Sequence, residues 1–475
     1  MIDNGSRPHH HHRDASGGLP PFGVVVADDL TGANATGVLL ARQGLRALSV
    51  IDPGPEALRW AMDWIDRGPR PGVLLFNTAS RSIEPAVAAA RVRRTLAPVI
   101  EHRTPVPIVA KRIDSTARGN LGAEVAAALD VLGPESFAVV TAAYPASGRT
   151  VVGGYLLVEG TPVTRTGAAH DPLAPVRCSH LPTLLQHQQP GEVAHVPLGK
   201  VMEGARAVGS AIVDALSAGQ RTIVADAVSD EDIGVLADAT VHVVTQLHLR
   251  AVCADPGPLT AAALARLLPV TAPSETPRAV GEVAAALEPR APSSPVLVVA
   301  GSTTELTRRQ LARLERELGV SLVVADAALL SCDVTSKRSQ EIQRLARHLA
   351  EGGHHPVRGI RTIGDDAHAL LQLPPRQQAR LLEAVGEAVR QATEAIVRRE
   401  GRPPAGLYLS GGDVTAAVVR ALGAVAIELV DQVLPLAALG RLAGGPFSGV
   451  RVVSKGGLVG GEDAAVSCVQ RLMSP

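Results

Sequence analysis

Aromatic residues are scarce: Phe, Tyr and Trp together make up 2% of the 475 residues. That speaks against an aromatic-cored β-sandwich and leaves few rings on which nucleic-acid bases could stack. Net charge is lacking as well. Lys plus Arg number 46 and Asp plus Glu number 46, so no global field draws the chain to nucleic acid or to an anionic membrane. The four cysteines, Cys178, Cys253, Cys332 and Cys468, are scattered without metal-ligand spacing. They read as buried thiols in a reducing compartment, which excludes a disulfide scaffold and a zinc cluster. There is no apolar run long enough to span a bilayer, no signal peptide and no internal repeat. Catalytic fingerprints are missing too. A Gly-x-Ser-x-Gly elbow, a Gly-x-Gly-x-x-Gly turn and a Walker A ending are absent, which weakens the hydrolase and dehydrogenase readings. The expectation is a cytoplasmic protein acting on a small molecule, with no nucleic-acid or membrane partner and with a homo-oligomer left open.

What the chain has is Ala, Val and Leu, which supply most of its 46% hydrophobic content. That composition suits alternating strands and Ala-rich helices, and the length exceeds what one core usually supports. The predicted fold class is α/β, with two doubly wound domains. Residues 1–21, a polar leader with His9–His12, read as a disordered tail or tag. Residues 22–272 form the first predicted domain, the Pro/Ala/Glu-rich stretch 273–294 a linker, and 295–475 the second domain.

In the first domain, short apolar runs repeatedly end in polar turns that open helices. Phe22–Ala27 leads to Asp28, Asp29 and a helix. Val73–Phe76 leads to Asn77-Thr78-Ala79-Ser80-Arg81. Pro107–Ala110 leads to Lys111-Arg-Ile-Asp114-Ser115-Thr-Ala-Arg118-Gly-Asn120, and Val139-Val140 to a turn carrying Arg149. Strand ends are where open α/β sheets bind ligands. An arginine fork grips a carboxylate, Lys111 adds a point charge, and Asp114, Ser115 and Asn120 can bond sugar hydroxyls. Taken alone, each turn reads better as a solvated, helix-capping loop. Their recurrence points to one pocket for a small anionic, hydroxylated ligand. Of the two adjacent carboxylates one can cap the helix; the other is left for a hydroxyl, a cation or a proton. Further on, Asp230–Ala239 reads as a helix, Val241–Val244 as a separate segment, and Asp255-Pro256-Gly257-Pro258 as a chain break.

The second domain restarts with the run Pro295–Ala300. Gly301-Ser302-Thr-Thr-Glu305 then opens a helix, with Ser302 and Glu305 matching a capping box. Ser410-Gly411-Gly412-Asp413 forms a second strand–loop–helix turn, Leu439–Gly445 a third glycine turn and Lys455-Gly456-Gly457 a fourth. Free N–H groups and the positive end of a helix suit phosphate. Plain capped helices and an ordinary exposed lysine are the competing readings.

Taken in order, Ala27–Asn34, Asn77–Arg81, Lys111–Asn120 and Pro145–Thr150 resemble the N-terminal motifs of the four-carbon acid sugar kinase family. The turns at Gly301-Ser302, Ser410–Asp413 and Lys455–Gly457 resemble its C-terminal nucleotide motifs. The resemblance covers roughly residues 22–467. It implies an N-terminal acid-sugar domain, a C-terminal ATP domain, and phosphoryl transfer across the cleft to the terminal hydroxyl of threonate, erythronate or a close relative. ATP and Mg²⁺ are the implied cofactors, with no protein-held metal cluster. Carried onto this chain, the substrate site comprises Asp28, Arg81, Lys111, Ser115, Arg118, Asn120 and Arg149. Asp29 is the preferred catalytic base and Asp114 the alternative. The nucleotide site comprises Ser302, Ser410, Gly411, Gly412, Asp413, Gly445, Lys455, Gly456 and Gly457. Two other readings stand beside this one: a non-catalytic sensor using the same clefts, and a lyase or aldolase with Lys111 as Schiff-base nucleophile.

Overall fold

A computed structural model describes residues 22–68, 71–102, 106–268, 294–301, 304–351, 355–362 and 373–474. The leader, nearly all of the expected linker and Ser302 lie outside the described residues.

The first half contributes β1 (Phe22–Ala27), β2 (Arg46–Val50), β3 (Gly72–Asn77), β4 (Ile108–Arg112) and β5 (Ser136–Val140). It continues with β6 (Arg149–Val152), β7 (Tyr155–Val158), β8 (Thr161–Pro162), β9 (Val193–Val196), β10 (Thr222–Ala225) and β11 (Arg250–Asp255). The second half adds β12 (Val296–Ala300), β13 (Ser321–Val324), β14 (Val357–Arg361), β15 (Gly406–Ser410), β16 (Ala426–Leu434), β17 (Ala437–Ala443) and β18 (Arg451–Lys455). Strands β1, β3, β4, β5 and β11 are apolar runs because helices cover both faces of a parallel sheet. Val24, Val25 and Val26 are at most 1% exposed, and each contributes roughly 1.5–3 kcal/mol by its burial.

In the first half the order is β2-β3-β1-β4-β11-β5-β10-β9, all parallel. In the second it is β13-β14-β12-β15-β18-β17-β16, with β16 and β17 antiparallel to their neighbours. The two halves share one sheet: β16 pairs antiparallel with β2, from Ala426 opposite Val50 to Leu429 opposite Ala47. The α/β class with two wound halves is as expected; this fusion is not a feature of the sequence reading. The Leu30–Arg42 helix seals the joint. Asn34 donates to the Ser454 hydroxyl at 2.8 Å, and a Cβ added to Gly37 would lie 2.1 Å from a Leu429 methyl. The small β6–β8 sheet stands apart from the main one.

Three local expectations need correction. Strand β4 runs on through Lys111 and Arg112, so the polar turn starts at Ile113. The Asp230 helix continues to Leu247 and absorbs Val241–Val244, because Ile233, Leu236, Ala237, Thr240, Val243 and Val244 keep helical spacing on one buried face. The glycine turn placed at Leu439–Gly445 is mostly strand β17, where Gly440 lets the Glu428 carbonyl of β16 come within 2.6 Å of its missing Cβ.

Candidate active site

The polar turns of the first half converge at the carboxyl ends of β1, β3 and β4, which are neighbours in the sheet. Asp29 caps the Leu30–Arg42 helix, accepting from the Gly32 amide at 2.9 Å. Arg81, four residues past the end of β3, reaches both leading carboxylates. It lies 2.7 Å from Asp28 and 2.7 Å from Asp29, with Asp114 at 3.5 Å. Arg118 takes both oxygens of Asp114 at 2.9 Å and reaches Asp171 at 2.8 Å. The result is a lattice of alternating charge at the mouth of the sheet.

Burial pushes the Asp28 carboxyl up, but Arg81, Lys111 and Arg112 overcome that and hold it below the usual range. Asp114 is likewise raised by burial, then driven well below its ordinary value by Arg81 and Arg118. Both stay ionised at neutral pH. Burial opposes the charge on Arg118 as well, and the contact with Asp114 more than restores it. Its side chain remains 25% exposed, so the fork has open donors toward a ligand.

Arg112 takes the place expected of Lys111. Successive strand residues point to opposite faces. Arg112 therefore faces the site, 3.4 Å from Asp28 and 3.3 Å from Asp29, and a Cβ on Gly32 would collide with its guanidinium. Lys111 is fully buried beneath, 3.1 Å from Glu124, with its ammonium donating to the Arg112 carbonyl at 2.8 Å. It is a strut under the site and does not line it, because the pleat of β4 turns it inward. The Schiff-base alternative loses its nucleophile for the same reason. Glu124, raised by burial against the pull of Lys111, also accepts from the Ser80 hydroxyl. Asn120 stitches two loops, donating to the Ser80 and Ile83 carbonyls at 3.0 and 2.8 Å. Ser115 is buried in the Asp114 turn. The described contact of the Arg149 side chain is with the Ser147 carbonyl in its own turn. The structure therefore brings Asp28, Asp29, Arg81, Asp114 and Arg118 together and leaves Lys111, Asn120 and Arg149 in supporting positions.

Arg112, Glu124 and Asp171 are additions. The alternation of β4 could have flagged Arg112. Asp171 carries no local signal, since it arrives from an irregular excursion 53 residues past Arg118.

In the second half, three neighbouring strands end side by side in glycine. Gly301 donates to the Ser410 carbonyl at 2.9 Å, and Gly411 to the Lys455 carbonyl at 2.8 Å. Gly411 has φ +114°, a conformation that side-chain-bearing residues rarely adopt, and it caps the Gly412–Ala421 helix. The Glu305–Leu318 helix starts beside this row. Its N-cap is Thr304, and Thr304 and Thr307 both donate to the Gly457 carbonyl at 3.0 Å. The cap thus falls two residues after the predicted Ser302, since Thr304 is the hydroxyl that meets the Thr307 amide. The free first-turn amides of two helix N-termini, set among these glycine turns, make a cradle suited to phosphate.

Lys455 lies on this cradle, 1% exposed, donating to the Gly456 and Val459 carbonyls at 2.9 and 3.4 Å. Among the described residues no carboxylate pairs with it, and burial lowers its pKa to about 8. A buried cation without a counter-ion is arranged for an anion that arrives from outside. Gly445 does not belong to this group. Lys455 pairs with Ala437 and Arg451 with Arg441, so Gly445 sits past the far end of β17, roughly 25 Å along the strand. There its φ of +74° and a Cβ position only 2.1 Å from the Gly423 carbonyl make it a packing glycine.

The two sites touch. Thr31, in the first turn after Asp29, has its hydroxyl 3.0 Å from where a Cβ of Gly412 would stand, and its methyl 3.3 Å from that of Gly456. Asp413 is raised by burial and by the negative charge of Asp29, with Arg81 opposing. The carboxylate–arginine lattice and the glycine cradle are thus one continuous site.

Two family models match the chain, a sugar-binding N-terminal domain over residues 23–263 and a nucleotide-binding C-terminal domain over residues 297–465. The D-erythronate kinase of Heliobacterium modesticaldum is 38% identical over 95% of this chain and 97% of its own length. The D-threonate kinase of Salmonella typhimurium is 32% identical, covering 92% of this chain and 95% of its own. A solved Salmonella typhimurium protein, described as a tRNA synthase, shares the fold at a TM-score of 0.70. It is 22% identical, covering 94% of this chain and 98% of the other, a likeness that shows the fold alone. Among the described residues no helix is long and apolar enough to cross a membrane.

Proposed function

The chain belongs to the four-carbon acid sugar kinase family, and from that premise we propose that it transfers the γ-phosphoryl group of ATP to the terminal hydroxyl of a four-carbon sugar acid. The observation that carries the reading is the contact of the two half-sites through Thr31, Gly412 and Gly456. A sugar acid held on the arginine lattice would lie next to a triphosphate on the glycine cradle, the proximity that phosphoryl transfer requires.

The acid's carboxylate is assigned to Arg118, whose fork is partly open, and its hydroxyls to the exposed edge of Asp29. Asp114 and Arg81 hold those groups in place. The nucleotide's phosphates are assigned to the Gly411–Asp413 turn, the helix N-termini at Thr304 and Gly411, and Lys455. With Asp114 and Asp29 already committed to arginines, Asp413 is the carboxylate whose environment favours accepting a proton from the attacking hydroxyl. Mg²⁺ carried in on the ATP phosphates would find its carboxylate donor in Asp29, which leaves Asp413 for the proton. Carboxylate oxygens are the donors Mg²⁺ takes. Bound there, Mg²⁺ would neutralise charge on the transferring group.

The test is ADP release with Mg²⁺-ATP against D- and L-threonate, D- and L-erythronate and 4-hydroxythreonine. The kinase reading predicts acid-dependent ADP release with one stereoisomer preferred. ATP binding without stimulation by any acid would mean that the acceptor is wrong, and would return the sensor reading.

A further inference from the structure

A cavity of about 1300 Å³ opens beside the site, between the Pro55–Asp66 and Pro85–His102 helices at the carboxyl ends of β2 and β3. Its walls combine two chemistries. Leu58, Trp60, Met62 and Val99 supply an apolar surface, while Arg59, Arg91, Arg94 and His102 supply cations or potential cations. Its acids are turned to other partners: Asp52 pairs with Arg420 at 2.7 Å and Asp63 with Arg67 at 3.2 Å. Among the described residues Arg59 and Arg94 have no ion-pair partner, so the cavity presents unspent positive charge over an apolar floor.

We propose that this cavity binds a small amphiphilic anion, a carboxylate or phosphate carried on an apolar or aromatic body. A polyhydroxylated sugar acid is a poor match, because an apolar wall cannot satisfy its hydroxyls. A drug-sized ligand of this kind suits a mostly apolar cleft with a few convergent charges. The occupant would lie against the turn that carries Arg81. Thr78 and Ala79 line the cavity, and Arg91 clamps that turn by donating to their carbonyls at 2.9 and 2.8 Å. It would also lie against Asp52, whose arginine partner belongs to the second half of the chain.

Trp60 makes the test direct, because the only other tryptophan, Trp64, lies under the Arg46 guanidinium. Phenyl phosphate and benzoate are titrated into the full chain, following tryptophan fluorescence and calorimetric heat, with inorganic phosphate and benzyl alcohol as single-chemistry controls. The expected result is saturable binding of at least one aromatic anion and weaker binding of both controls. The surface variant R59E/R94E should weaken that binding by at least ~10-fold through loss of charge-assisted contacts. The preference between the two anions distinguishes phosphate from carboxylate recognition. No saturable response up to about 5 mM, a weaker limit than any useful site, overturns the proposal. Equal binding by R59E/R94E overturns it too, and so does full displacement of the probe by D-erythronate or ATP, which would place it in the active site.

Discussion

Replacing Lys455 with methionine removes one charge while keeping most of the side-chain volume. The lysine is 1% exposed and burial brings its pKa from 10.5 to about 8. That displacement corresponds to roughly 3 kcal/mol against the charged form in the folded chain. Leaving the Gly456 and Val459 carbonyls without their donor costs about 1 kcal/mol each, the low end of the usual range, because the first contact is half-buried and the second is long at 3.4 Å. The variant should then be more stable than the parent by ~1–2 kcal/mol, seen as a melting temperature a few degrees higher. A depressed lysine pKa exerts its full penalty below pH 8, and the penalty fades as pH rises from 8 to 10.5. The advantage of the variant should fade over that same interval. Its catalysis should move the other way. A charge-assisted bond to phosphate is worth roughly 1.5–3 kcal/mol, so kcat/KM for ATP should fall ~10–150-fold while KM for the acid stays put. In the parent, KM for ATP should climb above pH 8 as the free enzyme's lysine loses its proton. Coupled ADP release and thermal melts across pH measure both effects. ATP kinetics within about threefold of the parent would remove Lys455 from the phosphate site; a large loss of stability would refute the uncompensated charge.

Asp413→Asn should lower kcat ~10²–10³-fold and abolish the acid limb of the kcat/KM profile, which in the parent lies above the ordinary aspartate value of 3.8 because Asp413 is raised. Asp29→Asn keeps a capping side chain and should leave that limb in place; loss of the limb in Asp29→Asn alone would return the base role to Asp29. Arg118→Ala should raise KM for the acid by ~10–100-fold with a smaller effect on kcat, as expected for a lost charge-assisted contact, and an unchanged KM would show that Arg118 does not hold the carboxylate. Lys111→Met leaves Glu124 buried without its partner and should cost roughly 3–5 kcal/mol of unfolding free energy, largely recovered in Lys111→Met/Glu124→Leu. Denaturant melts distinguish this from a chemical role, in which the double variant would be stable but inactive.

The parts of the site legible in the sequence were those whose signal is local. An apolar run, a polar turn and a capped helix follow one another within about a dozen residues at Asp28, Arg81 and Asp114, and the parallel sheet then sets these ends side by side. The same logic found the Gly411–Asp413 turn and Lys455. It failed where the answer depended on the phase of a strand or on distant chain. Lys111 and Arg112 are adjacent cations, and only the register of β4 decides which one faces the carboxylates. Asp171 reaches Arg118 from an excursion without periodicity, and Gly445 looks like a phosphate-loop glycine until the β17–β18 pairing puts it at the far end. The continuous sheet rests on β16 against β2, a pairing across nearly 400 residues that no local pattern encodes.

The most direct test of the central claim is the ³¹P NMR spectrum of a reaction containing the full chain, Mg²⁺-ATP and either D-erythronate or D-threonate. Transfer across the Thr31–Gly412 junction predicts a phosphomonoester resonance that grows in step with ADP and is split by the two protons of a terminal CH₂. ADP accompanied only by inorganic phosphate would mean that water, not the sugar acid, receives the phosphoryl group, and would contradict the account.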